Sequence, residues 1–143
     1  MKTLRLLAII PTALAMSLAF TEANLAQTPT IQIGRNFQPD PVVLKGKSGG
    51  TVKSNCGNIT TEPSQVIQVT ESLPYLRLTV ESQGKPTLLL DGPGGRFCVL
   101  ADSYSGSKSE LSGYWQAGKY SLYVGELSQQ QYTYNLSISQ KNK

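Results

Sequence analysis

The 143-residue chain contains no histidine. That excludes every Ser-His-Asp or Cys-His nucleophile relay and removes the commonest general base. Charge is scarce as well: Asp, Glu, Lys and Arg make up 15% of the residues, against about a quarter in an ordinary soluble domain. The basic excess is small, a formal +4, and its nearest approach to a cluster is Lys45, Lys47 and Lys53. A nucleic-acid surface needs a basic patch on a recognisable module, and neither is present, so no nucleic-acid partner is expected. Cysteine is limited to Cys56 and Cys98, with no C-x-x-C pair, and there is a single tryptophan. The enzyme class left open is a small hydrolase working with two carboxylates of the glycosidase kind. Most of the acidic residues, however, lie on strand faces or in turns, where polar residues are expected anyway.

What the chain does have begins at its N-terminus. Lys2 and Arg5 precede an apolar run from Leu6 to Phe20, and small and polar residues follow from Thr21 to Ala26. This order is that of a secretory signal peptide. The run is shorter than the ~20 residues that span a bilayer core, and Pro11 interrupts it. Cleavage after Ala26 or after Ala23 is expected, with an uncleaved anchor as the alternative. No cysteine stands at the junction to carry a lipid. Residues 1–26 are thus read as the signal, 27–40 as a flexible N-terminal arm and 41–143 as one domain. Ile31 and Ile33 are able to add an edge strand from that arm. The protein is expected to be exported to the periplasm or beyond, with no membrane insertion once the signal is removed. Two cysteines in an exported chain read as one disulfide, Cys56–Cys98.

Beyond the signal the apolar residues recur at period two, which marks half-buried strands. Leu76, Leu78 and Val80 alternate with Arg77, Thr79 and Glu81. Tyr120, Leu122 and Val124 alternate with Lys119, Ser121 and Tyr123, and Tyr132, Tyr134, Leu136 and Ile138 with Thr133, Asn135, Ser137 and Ser139. Gln65–Thr70 is a shorter candidate. The continuous run Leu88-Leu89-Leu90 suggests a central strand covered on both faces. Turn residues punctuate the segments, as at Ser48-Gly49-Gly50 and Asp91-Gly92-Pro93-Gly94-Gly95. The pattern predicts an all-β antiparallel sandwich of about seven to nine strands. The strands around Tyr120 and Tyr134 are close enough to pair as a hairpin across Glu126 to Gln131.

Several stretches carry a resemblance. Gly49-Gly50-Thr51-Val52, Asn55-Cys56-Gly57, Pro74-Tyr75-Leu76-Arg77-Leu78-Thr79-Val80, Pro86 to Cys98 and Gly113 to Gly125 together resemble a group of small exported bacterial proteins known from cyanobacteria. More distantly, Leu88 to Gly95 and Ala117-Gly118-Lys119-Tyr120 are similar to the bacterial pre-peptidase C-terminal domain. That likeness implies a jelly-roll-like sandwich, generally non-catalytic and appended to secreted proteins, with calcium and collagen binding in some members. The chain departs from both patterns. Pro86-Thr87 stand where the larger family often has acidic residues, and Val99-Leu100-Ala101 precede Asp102 where acidic residues are expected sooner.

Two candidate sites follow. Calcium takes six to eight hard oxygens, and Asp91 and Asp102, with Ser103 and the carbonyls of Gly92 to Gly95, are able to supply some. The competing reading of Asp91-Gly92 is a turn capped by its own aspartate. Tyr104, Tyr114 and Tyr123 are candidates for an exposed aromatic surface, since Tyr and Trp suit interfaces, while Trp115 is expected in the core. The expected function is a non-enzymatic exported module of the cell envelope or extracellular space that binds an envelope glycan or protein. No cofactor other than calcium is in question, and the alternative is a structural envelope protein without a specific ligand.

Overall fold

The computed structural model describes residues 28–101 and 107–142. The expected signal segment therefore lies outside the described residues. Eleven strands follow in order: β1 (Thr30–Ile33), β2 (Val42–Lys47), β3 (Val52–Ser54), β4 (Gly57–Ile59), β5 (Gln65–Val69), β6 (Leu73–Glu81), β7 (Pro86–Gly92), β8 (Gly95–Val99), β9 (Lys108–Trp115), β10 (Gly118–Glu126) and β11 (Thr133–Ser139). This exceeds the seven to nine expected, because β3, β4 and β8 are short pieces without an alternating apolar pattern.

The strands form two sheets. In sheet A, β10 is the hub: Gly118 to Leu122 pair with β5, Ser121 to Glu126 pair with β7 on the other side, and its last residue also reaches β4. β1 extends the sheet beyond β5, β8 beyond β7 and β3 beyond β4. Sheet B has four antiparallel strands in the order β2-β11-β6-β9. The period-two residues face one another between the sheets. Leu76, Leu78, Val80, Leu88, Leu122, Leu136 and Ile138 are fully buried there, with Trp115, Tyr120 and Tyr134 almost so. The all-β sandwich stapled by Cys56–Cys98 is therefore the fold of this chain.

One expectation is corrected. β10 and β11 do not form a hairpin: β10 belongs to sheet A and β11 pairs with β2 and β6 in sheet B. The segment from Leu127 to Tyr132 crosses from one layer to the other, and six residues easily span the ~10 Å between packed sheets. Within residues 27–40 the edge strand that Ile31 and Ile33 are able to add is β1, which pairs in parallel with β5 from Thr30↔Val66 to Ile33↔Val69. Ile33 is buried in the main core, and apolar burial fixes the segment.

The Leu run of β7 owes its two-sided burial to a flap. Leu88 and Leu90 face the main core, whereas Leu89 points outward and packs with Cys56, Ile59 and Tyr123 in a second, small cluster. The β3–β4 flap lies over this outer face. It is held by the disulfide to Cys98 on β8, by a hydrogen bond from Thr87 Oγ1 to the Cys56 carbonyl (2.6 Å) and by one from Asn58 Nδ2 to the Ser128 carbonyl (2.7 Å). Cys98 sits opposite Leu89 in the β7–β8 register, which places its sulfur on the flap's side.

Candidate functional site

An apolar concavity lies where the edges of the two sheets meet. β9 is the last strand of sheet B and β8 the last on its side of sheet A. Phe97 pairs in register with the core residue Leu90 and so faces inward, yet it is 49% exposed. An inward-facing aromatic is exposed to that degree only where no strand of the opposite sheet lies against it. Sheet A overhangs sheet B at this point.

Beneath the overhang is a groove of about 430 Å³, lined by Leu90, Phe97, Leu111, Trp115 and Tyr120 and rimmed by Gly94, Ser112, Gly113, Tyr114 and Gln116. Its floor is a tilted aromatic pair, Trp115 and Tyr120, with ring centroids 4.7 Å apart. Tyr120 is fixed from two sides. Its hydroxyl donates to the Gln116 carbonyl at 2.8 Å, and its ring lies on the bare backbone of Gly92, where any Cβ would collide with it. Burial pushes the Tyr120 phenol above its ordinary range and the nearby Tyr114 adds to this, while the bond to Gln116 opposes them.

Tyr114 stands at the rim, 68% exposed. A β-bulge sets its direction: between the pairs Leu73↔Trp115 and Leu76↔Gly113, β6 has two residues where β9 has only Tyr114. Bulges re-aim side chains and are frequent beside functional sites. Gly113, at φ +144°, has no atom within 4 Å of the place a Cβ would occupy, so the middle of this edge is bare backbone. None of the ten lining residues carries a charge.

The residues singled out from sequence are dispersed. Cys56 and Cys98 are bonded to each other. Trp115 is buried and forms part of the groove floor. Tyr123 does not join Tyr114: it lies half-buried under the flap against Cys56, Ile59 and Leu89. Asp91 is exposed on β7 opposite Arg96, so a guanidinium-bearing side chain neighbours the carboxylate on the same face. Asp102, Ser103 and Tyr104 lie outside the described residues. Among the described residues no group of three or more Cys, Asp or Glu is gathered as a metal site. Sequence reasoning missed Phe97. The signal lay in the pairing of Arg96-Phe97-Cys98 as a short strand, which the flanking glycines disguised as turn.

The fold is similar to that of a pre-peptidase C-terminal domain. The solved structure of that domain from a Bacillus anthracis collagenase superposes with a TM-score of 0.52 at 19% identity, covering 81% of this chain and all of the other. The sequence relationship lies elsewhere. An uncharacterized protein of Synechococcus elongatus is 34% identical over 140 residues, covering 95% of this chain and 92% of its own length, and the chain belongs to the same family as that cyanobacterial protein. No protein-family model matches the chain.

Proposed function

We propose that this protein is a non-enzymatic binding module, exported to the cell envelope or the space outside it, and that it holds an envelope glycan or protein in the groove between β8 and β9. The observation that carries this reading is the aromatic groove itself. Phe97 and Tyr114 are exposed over a buried Trp115–Tyr120 floor, and aromatic residues in this setting are typical anchors for partners. Among the described residues the other exposed large apolar side chains are Val43, Val52, Leu100 and Leu127, of which Leu127 borders a separate concavity that also contains Lys85 and Glu126. Single exposed apolar residues are ordinary on any surface.

Trp115 is the only tryptophan, so an occupant of the groove reports itself in its fluorescence. Titrating the oxidised protein with purified peptidoglycan fragments, neutral envelope polysaccharide and envelope proteins is expected to shift that emission with one class of ligand. Tyr114→Ala is expected to weaken the response about tenfold, the loss of a well-placed aromatic anchor, with little change in melting temperature. An emission unmoved by every class would return the chain to the structural reading.

A further inference from the structure

We infer that the occupant of the groove is a polypeptide segment in extended conformation, added as a fifth strand to sheet B along the free edge of β9. This rests on the groove being the binding face and names what it takes. Among the described residues β9 pairs only with β6, so from Leu111 to Trp115 no described strand pairs with its other side. A strand placed there would lie against the overhang of β8 and cover Phe97, supplying the layer that sheet B lacks at this point.

Protein edges are normally guarded by charges, prolines or bulges. On β9 the charges are confined to Lys108 and Glu110, and the stretch Leu111-Ser112-Gly113-Tyr114-Trp115 has none. Lys108 is engaged with Glu81 at 2.8 Å on the β6 side. Glycine inside a strand often marks a place where another backbone comes close, and Gly113 stands at the centre of the uncharged half, beside the bulge opposite Tyr114, with open space over it.

Side chains on one face of an added strand recur about every 6.8 Å and would enter the groove. Its uncharged lining complements apolar, uncharged side chains at those positions. In strand addition, main-chain hydrogen bonds give affinity and such pockets give specificity. A saccharide fits less well: its many hydroxyls need partners, and beyond the tyrosine hydroxyls and the Trp115 indole N–H the lining offers only Ser112 and Gln116 as polar side chains.

The test is an NMR titration of the isotope-labelled oxidised protein with capped nine-residue peptides that alternate threonine with valine, leucine or phenylalanine. Neutral glucan and chitin oligosaccharides form the parallel arm. The expected result is amide shifts centred on Leu111 to Gln116 and on Phe97. N-methylation of alternate peptide amides along one edge should weaken binding at least about tenfold, while methylation along the other edge leaves it nearly unchanged, because only one edge faces β9. Phe97→Lys, at a half-exposed position the fold tolerates, should abolish the shifts. Equal tolerance of both methylation patterns would overturn strand addition, as would shifts confined to other strands. Oligosaccharide shifts at Phe97 and Tyr114 without peptide shifts would overturn the inference and leave the binding-module reading standing. Silence from both arms would remove both.

Discussion

Tyr120 and Tyr134 keep their phenol protons longer than free tyrosine does. For both, burial is the chief cause; a bond to the Gln116 carbonyl opposes it for Tyr120 and one with Ser64 for Tyr134. In the unfolded chain these phenols ionise near the ordinary value of 10.0, so above that pH the unfolded state sheds protons that the folded state retains. Stability from this source is fully present below pH 10 and is lost as pH rises through the folded values. Absorbance at 295 nm is expected to show Tyr120 and Tyr134 titrating late, and urea midpoints should fall above pH 10. Glu126 is the second residue-scale feature. It is fully buried, and its carboxyl oxygens accept from the backbone N–H groups of Lys85 and of Ser128, tying the β6–β7 and β10–β11 connections together. Glu126→Gln keeps the volume but turns an amide NH₂ toward one of those donors. It is expected to cost about 2 kcal/mol in urea unfolding. Nothing in the sequence marks Glu126 as buried, because it follows Val124 and Gly125 as the polar end of a strand and its partners are on other connections. Tyr123 misleads in the same way: alternation places it on the outer face, but only the flap, brought from some 65 residues earlier, shows that this face is covered.

At the scale of elements, the strands with strict alternation, β6, β10 and β11, were readable, and so was β7 with its two covered faces. β8 and β9 were not. Glycine-rich flanks hide the first, and the second mixes serine, glycine and charge among its apolar residues because half of it borders the groove. The flap is the element most dependent on one bond. β4 shares a single register pair with β10, while the disulfide joins residues 42 apart. Cys98→Ser is expected to lower stability by about 3–4 kcal/mol in the chain-entropy account. The loss should be accompanied by faster hydrogen exchange in β3 and β4 than in β6 or β11, since weakly held units open first. Exchange that rises evenly over all strands would show the flap to be no weaker than the rest.

At the scale of the molecule, the composition and turn spacing pointed to a sandwich, but how the strands distribute between layers did not follow from them. A hairpin and a layer crossing require the same six-residue connection, and β10 and β11 present identical alternation in either arrangement. Membership of sheet B is decided instead by partners far away in sequence, β2 for β11 and β6 for β9. The groove was hidden for the same reason, since it is made by the mismatch in width of two sheets whose edges are neighbours only after folding.

The position of β11 has a bearing on the moment at which folding can finish. This strand is the last of the eleven in chain order, and it sits in the interior of its sheet, joining β2 to β6. Until Thr133 to Ser139 have left the ribosome, a strand completed some ninety residues earlier has nothing to pair with, and one wall of the core is missing. A nascent chain of this design stays open until β11 has emerged, and the loss of that one strand would cost it far more than its length suggests, because β2 would then have no partner among the described strands.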